Sequence, residues 1–296
     1  MKNQQQVSYI ILLLAAIIWG FAFVAQRSGM EHIGPLLFNA IRFFMGGLLL
    51  IPFYLYSKQS NKEIKTNKIS PLFLWPGIIL FLASFLQQKG MVYTSAGNAG
   101  FITGIYMLMV PVFGMFLGHK IPSIIWIAVP VSLAGLFFVS FNENMIFSEG
   151  DLWVFSSSVF WAMHVLVINW LVKNHDAILL ALSQFLICGA ISMFLAFIFE
   201  PVVLSDIKSA GIPLLYSGIM SVGLAFTLQV IGQKHAHPAI ASVLLSSEAL
   251  FAVLGGWLIL SETMTIRQTG GCILILSGII LINVFHKSSK KPVTIL

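Results

Sequence analysis

Charge is the scarcest property of this chain: only 9% of its 296 residues are Asp, Glu, Lys or Arg. Soluble domains carry roughly a quarter. The sequence therefore cannot cover a water-exposed surface. Cysteine is almost absent too. Cys188 and Cys272 each lie inside an apolar run, without metal-ligand or CxxC spacing, and read as small hydrophobes that say nothing of redox chemistry. There is no GxxxxGK[ST] loop, which argues against ATP coupling within the chain. There is no HExxH, no GxSxG and no pair of carboxylates inside an apolar segment, so no convergent catalytic set is in view. The net charge of +6 invites a nucleic-acid partner, but the basic residues sit in short loops and tails rather than on one face.

What the chain has in abundance is apolar length, with 58% hydrophobic residues. A helix needs roughly 20 apolar residues to cross the hydrocarbon core. Runs of that order recur at Tyr9–Gln26, Leu36–Tyr56, Leu72–Gln88, Ser95–Leu117 and Ile124–Phe141, then at Leu152–Leu171, Ala177–Phe199, Ile212–Ile231, Ala239–Leu260 and Thr269–Phe285. They predict an all-α integral membrane protein with ten transmembrane helices. Lys2 precedes the first run as in a signal peptide, but no small-x-small cleavage site follows, so this run is read as a retained helix.

Ten spans place both termini and the even-numbered loops on one side. That side carries eleven lysines, among them Lys58, Lys62, Lys65 and Lys68 of the longest polar connector. The other carries four basic residues, Arg27, Lys89, Lys208 and Arg267. By the positive-inside rule both termini are expected in the cytoplasm, in a multi-pass protein of the plasma (inner) membrane.

The chain also repeats itself at an offset of 142 positions. Trp19 meets Trp161, Gly47 meets Gly189, and Leu82, Ala83, Leu86, Gln87 and Gly90 meet Leu224, Ala225, Leu228, Gln229 and Gly232. The halves, 1–142 and 143–296, hold five spans each, an odd number, so they are expected to enter the membrane with opposite polarity. Inverted repeats of this kind mark secondary transporters, whose site lies near the midplane between the halves.

The stretch Tyr93–Gly114, YTSAGNAGFITGIYMLMVPVFG, resembles the fourth-helix region of EamA-type proteins in the drug/metabolite transporter superfamily. Ser246–Glu262, SSEALFAVLGGWLILSE, resembles the family pattern of a mid-helix Glu-Pro, a Gly-Trp and a closing Glu, with Ala249 where Pro is common. Trp19-Gly20 and Arg42-Phe43 are similar to family positions as well. The resemblance covers nearly the whole chain. It implies a transporter, with export as the expected direction, and leaves the solute open.

Candidate site residues are the polar and aromatic ones inside spans. Glu248 lies about ten residues into the ninth run, near mid-bilayer at ~1.5 Å per residue. A carboxylate there costs several kcal/mol unless it is protonated, paired or facing a wet cavity. It reads as a proton acceptor or substrate contact, against a purely structural hydrogen bond. Arg42, roughly two turns into the second run, either snorkels to the outer interface or pairs with a carboxylate of the protein or the substrate. Gln87 and Gln229, repeat mates, suit interhelical hydrogen bonds or a polar cavity lining; Gln88, Gln184, Asn39, Asn98 and His164 are weaker candidates of the same kind. Trp19 and Trp161 are repeat mates within spans, and the same offset sets Tyr106 opposite Glu248. Gly100 with Gly104 and Gly114 with Gly118 have the GxxxG spacing that permits close helix contact, and Pro111 is expected to kink the fourth span. His235 and His237 read as loop residues rather than metal ligands. Glu262, Glu200 and Asp151 read as ordinary span-end charges.

The expectation is thus a secondary transporter, not an enzyme, moving a small organic metabolite or drug-like solute by alternating access, as a uniporter or coupled to protons. No cofactor or metal is implied. The partners are the solute and the lipid bilayer, not nucleic acid, with a homodimer as an option. The alternatives are a membrane-embedded enzyme acting on a lipid-linked substrate and a nontransporting membrane protein.

Overall fold

The computed structural model describes residues 2–60, 70–94, 96–140, 148–259 and 264–288. The lysines at 62, 65, 68, 290 and 291, Glu262, and the expected junction between residues 142 and 143 lie outside them. Among the described residues every regular element is helical. Eight helical segments are long and apolar enough to cross a membrane: Asn3–Gly29, Pro35–Tyr56, Pro71–Tyr93, Asn98–Phe116, Glu149–Leu171, Ala177–Phe199, Gly211–Gln233 and Ile266–Val284. Two shorter apolar helical segments, Ile125–Ser140 and Pro238–Leu254, stand at the remaining two expected positions. Helices apolar on all faces belong in a membrane or a large core. The chain is a multi-pass membrane protein.

The helices are α1 (Lys2–Gly29), α2 (Pro35–Ser60), α3 (Leu74–Tyr93), α4 (Ala96–Gly104), α5 (Tyr106–Phe116), α6 (Ile125–Ser140) and α7 (Glu149–Leu171). They continue with α8 (Ala177–Phe199), α9 (Leu204–Ser209), α10 (Gly211–Leu215), α11 (Thr227–Gln233), α12 (Pro238–Leu245), α13 (Glu248–Ile259) and α14 (Ile266–Ser288). Their main contacts join the start of the chain to its end. α3 lies along α7, α2 along α8 and α6 along α14, while α1 packs on α11, α12 and α13. Two large apolar cores result, one built largely on α5, α6, α12 and α14, the other on α2 and α8, with a small third of Phe23, Met91, Ala99, Ile102 and Val154. Trp19 and Trp161 pack against both large cores.

Three expected spans are not continuous helices. The fourth breaks at Ile105, between α4 and α5, and the ninth at Ser246 and Ser247, between α12 and α13. Pro111 is not the cause, since it sits inside α5 without interrupting it. The eighth runs from α10 through a π-helical segment, Tyr216–Phe226, into α11. The GxxxG reading also needs correction. A methyl at Gly104 would collide with Leu136, but among the described residues nothing lies within 4 Å of the Cβ position of Gly100. Gly118 lies beyond the end of α5, with φ 78°, where the His119 N–H donates to the Gly114 carbonyl (2.9 Å) and closes the helix.

Glu200 is not an ordinary span-end charge. Its carboxylate accepts the N–H groups of Leu36 (2.9 Å) and Leu37 (2.8 Å), capping α2 from the far end of α8. Asp151 completes a capping box with Ser148 and accepts the Thr94 hydroxyl at 2.6 Å. An anionic cap at a helix N-terminus is worth about 1 kcal/mol. Glu200→Ala is therefore expected to lower the melting temperature of the purified protein by ~2–4 °C, and Glu200→Gln by less, because one acceptor oxygen remains.

Candidate functional site

α1 presents Trp19, Phe23 and Gln26 at i, i+4 and i+7, a single helical face. That face borders a partly open cavity of about 40 Å³, lined also by Arg42 of α2, Gln87 of α3, Thr103 and Tyr106 on either side of the first break, Trp161 and Val165 of α7, Ser221 and Phe226 of the π segment, Gln229 of α11, and Leu245 and Glu248 on either side of the second break. All seven residues singled out from the sequence border it: Glu248, Tyr106, Trp19, Trp161, Gln87, Gln229 and Arg42. Of the weaker candidates, His164 and Gln184 pair with each other instead (Nε2 to Oε1, 2.7 Å) behind the wall, and Asn39 supports Arg42.

The breaks put their residues here for local reasons. In the stretch SVLLSSE the hydroxyls of Ser242, Ser246 and Ser247 donate to carbonyls three residues back, at 2.9, 3.0 and 2.6 Å. Such back-bonding competes with the helical ladder. The Ser247 N–H accordingly takes the tighter i−3 partner, Leu244 (3.3 Å), and a new helix starts at Glu248. No proline at 249 is needed. At the other break the Ile105 N–H takes Ile102 (3.2 Å), after Gly104 has brought α4 against Leu136 of α6. The two new helices begin on the repeat mates Tyr106 and Glu248.

Arg42 does not snorkel. It is 2% exposed, its Nε donates to Asn39 Oδ1 (2.9 Å) and one terminal nitrogen to Gln26 Oε1 (2.8 Å). The guanidinium also lies 4.9 Å from the Phe43 ring centroid, a cation–π distance. Glu248 differs. It is 6% exposed, and no group among the described residues donates to its carboxylate. The two opposite charges border one space without forming an ion pair. Gln87 donates to Thr103 (2.9 Å), so it both ties α3 to α4 and lines the cavity. Among the described residues Gln229 Oε1 and Trp161 Nε1 are buried with no partner. Buried polar atoms are normally satisfied, so these two stand out beside the cavity.

The aromatic wall turns on Phe226, which sequence reasoning did not single out among 25 phenylalanines. Its ring sits 4.6 Å from Trp19 and 5.8 Å from Trp161, centroid to centroid, with Phe43 and Phe185 behind. The π turn that delivers it also leaves the Ser221 carbonyl to accept Trp19 Nε1 at 3.3 Å. Gln26 was missed too, although its signal was present, an amide on the same stripe as Trp19. Phe23, Thr103, Val165, Ser221 and Leu245 carry no such signal. A cavity holding one carboxylate, one guanidinium, amides and aromatic rings can bind a small organic molecule with polar groups on an apolar body.

The comparisons agree with this picture. The EamA-like transporter family matches residues 6–141 and, separately, 148–284. An uncharacterized transporter of Archaeoglobus fulgidus is 28% identical over 279 residues, covering 92% of this chain and 84% of that one. The uncharacterized transporter YoaV of Bacillus subtilis is 28% identical, covering 95% and 97%. A solved crystal structure, 19% identical, superposes with a TM-score of 0.82 over 97% of this chain and 99% of that one, which shows a shared fold. With its family matched twice along nearly its full length, the chain belongs to the EamA-like transporter family of the drug/metabolite transporter superfamily.

Proposed function

We propose that this protein is a secondary transporter that carries a small organic solute through the plasma membrane by alternating access to the cavity, with export as its direction. The solute would be held by Glu248, Tyr106, Trp19, Trp161, Gln87, Gln229 and Arg42. The observation that carries this reading is the cavity's place, where two interrupted helices meet. Such interruptions line substrate sites in transporters built from inverted repeats.

The reading takes the eight long and two shorter apolar segments as ten spans in two inverted halves, 1–142 and 143–296, with both termini cytoplasmic. Contacts that exchange under the 142 offset support it. Gly90 lies against Gly150 and Val154, and its mate Gly232 lies against Ser8 and Leu12, the mates of those residues. Gly47 lies against Leu186, and its mate Gly189 against Phe44. A pairwise exchange of this kind is what a two-fold axis between the halves produces. A homodimer is compatible with the arrangement and is not required by it.

The test is a melting-temperature screen of small organic solutes on the purified protein, followed by counterflow of the best binder in proteoliposomes. A carrier accumulates labelled solute against unlabelled solute inside. Chemical conversion of the label would indicate a membrane-embedded enzyme, and neither outcome would indicate a nontransporting protein.

A further inference from the structure

Around the cavity α1 packs on the π segment, α11, α12 and α13, while α7 packs on α3, α4 and α5; α12, lying against α5 and α7 as well, joins the two sets. α1 touches α3 lightly, and α7 touches α11 lightly. At each of these two contacts a side chain reaches across and donates to a pair of backbone carbonyls. Arg27, at the end of α1, donates to the carbonyls of Met91 (2.7 Å) and Thr94 (2.6 Å) at the end of α3. Asn169, near the end of α7, donates to those of Gln233, the last residue of α11, and Ala236, just beyond it (both 2.9 Å). All three pairs, 27 with 169, 91 with 233 and 94 with 236, are separated by the same 142 positions.

We infer that Arg27 and Asn169 are the two latches of the transport cycle, positioning residues that hold the cavity shut on opposite faces of the membrane. This rests on the transporter reading above and adds the parts that must open. Carbonyls at a helix C-terminus have no partner within the helix, so each latch has a ready acceptor and a strong polar bond to release. Gln26, beside Arg27, borders the cavity. So does Val165, one turn before Asn169, and its carbonyl accepts a further bond from Gln233 Nε2 at 3.1 Å. Releasing Arg27 would part α1 from α3 at the outer face. Releasing Asn169 would part α7 from α11 at the inner face.

The latches are not equivalent. Arg27 is charged and exposed to the surface, whereas Asn169 is neutral and buried. The outer latch therefore has water and ions as competing partners, and the inner one has neither until the seam opens.

Sided labelling tests the assignment without any solute. A reporter Leu245→Cys, in a background of Cys188→Ala and Cys272→Ala, is exposed to a membrane-impermeant maleimide in right-side-out and in inside-out vesicles. Arg27→Ala is expected to raise labelling from the outside only, and Asn169→Ala from the inside only. Each rise is expected to be roughly tenfold, as when a two-state closure loses one strong polar bond. Arg27→Lys should restore part of the closure, whereas Asn169→Asp, of the same shape but without the amide donor, should behave as Asn169→Ala. If the alanine variants do not fold, Arg27→Lys and Asn169→Asp carry the same sided comparison. Labelling unchanged, or raised equally from both faces, would overturn the latch assignment. Sided labelling in a protein that exchanges no solute would leave the latches standing and remove the transporter reading; exchange without sidedness would do the reverse.

Discussion

Glu248→Gln is expected to reduce solute exchange in proteoliposomes roughly 10–100-fold, the loss of one charge-assisted hydrogen bond at ~1.5–3 kcal/mol. The melting temperature should hold or rise. Both halves of that outcome follow from the surroundings of the side chain. The carboxylate is buried against the cavity and accepts no hydrogen bond from the described protein groups, so an amide of the same shape breaks no structural contact. Removing an unpaired buried charge relieves a desolvation cost. A side chain kept only to hold helices together would show the opposite, a fall in stability with exchange intact. Full exchange with an unchanged pH profile in Glu248→Gln would take this residue out of the site.

Gly20→Ala is expected to have a large effect for a single added methyl group beside the cavity. An alanine Cβ there would lie 2.7 Å from the Glu248 carbonyl oxygen, 2.7 Å from Phe251 Cβ and 2.8 Å from the Ala252 nitrogen. None of these is the end of a flexible side chain, so α1 must move away from the first turn of α13. Overpacking of this kind costs about 1–3 kcal/mol, and here it displaces the residue that begins the second interrupted helix. The expected result is a lower melting temperature together with a loss of exchange. Gly100→Ala is the control. With nothing among the described residues within 4 Å of its Cβ and alanine the better helix former, it should be neutral or stabilising by up to ~1 kcal/mol. Equal behaviour of the two variants would show that the contact between α1 and α13 is not as close as described.

The repeat makes Gly20 informative in another way. Its mate is Ala162, buried and accommodated on α7. One half of the chain thus tolerates the methyl that the other excludes, and the difference falls beside Glu248, whose own mate is Tyr106.

Hydropathy made the membrane class and the positions of the apolar segments legible, because the cost of burying charge in lipid acts on each segment separately. Neighbour relations were not legible. That α3 should lie along α7 rather than α2 depends on glycines such as Gly90 and Gly150 meeting across the two halves, and no periodicity within one segment encodes that. The break before Glu248 was hidden for a related reason. Proline is the visible breaker, and the serines that do the work here look like ordinary small residues until their hydroxyls are seen to bond backward. The π segment leaves no composition signature. Of the cavity, the polar and aromatic residues standing inside apolar runs could be named, since each is costly enough to need a reason. Phe226, Val165 and Leu245 needed none and could not be told from packing residues. Arg27 and Asn169 were hidden behind the difference in their side chains, for the shared feature is the carbonyl pair each one grips.

The pairing of α2 with α8, α3 with α7 and α6 with α14 bears on how the protein is made. Each partner emerges from the ribosome only after α6 is complete, and α6 waits for α14, the final helix described. The first half would enter the bilayer with its glycine faces turned to lipid and no mate to receive them. Assembly is therefore post-insertional, and quality control meets a half-built carrier for the time it takes to synthesise the rest. Expressed as two polypeptides, the halves should survive together and be degraded apart.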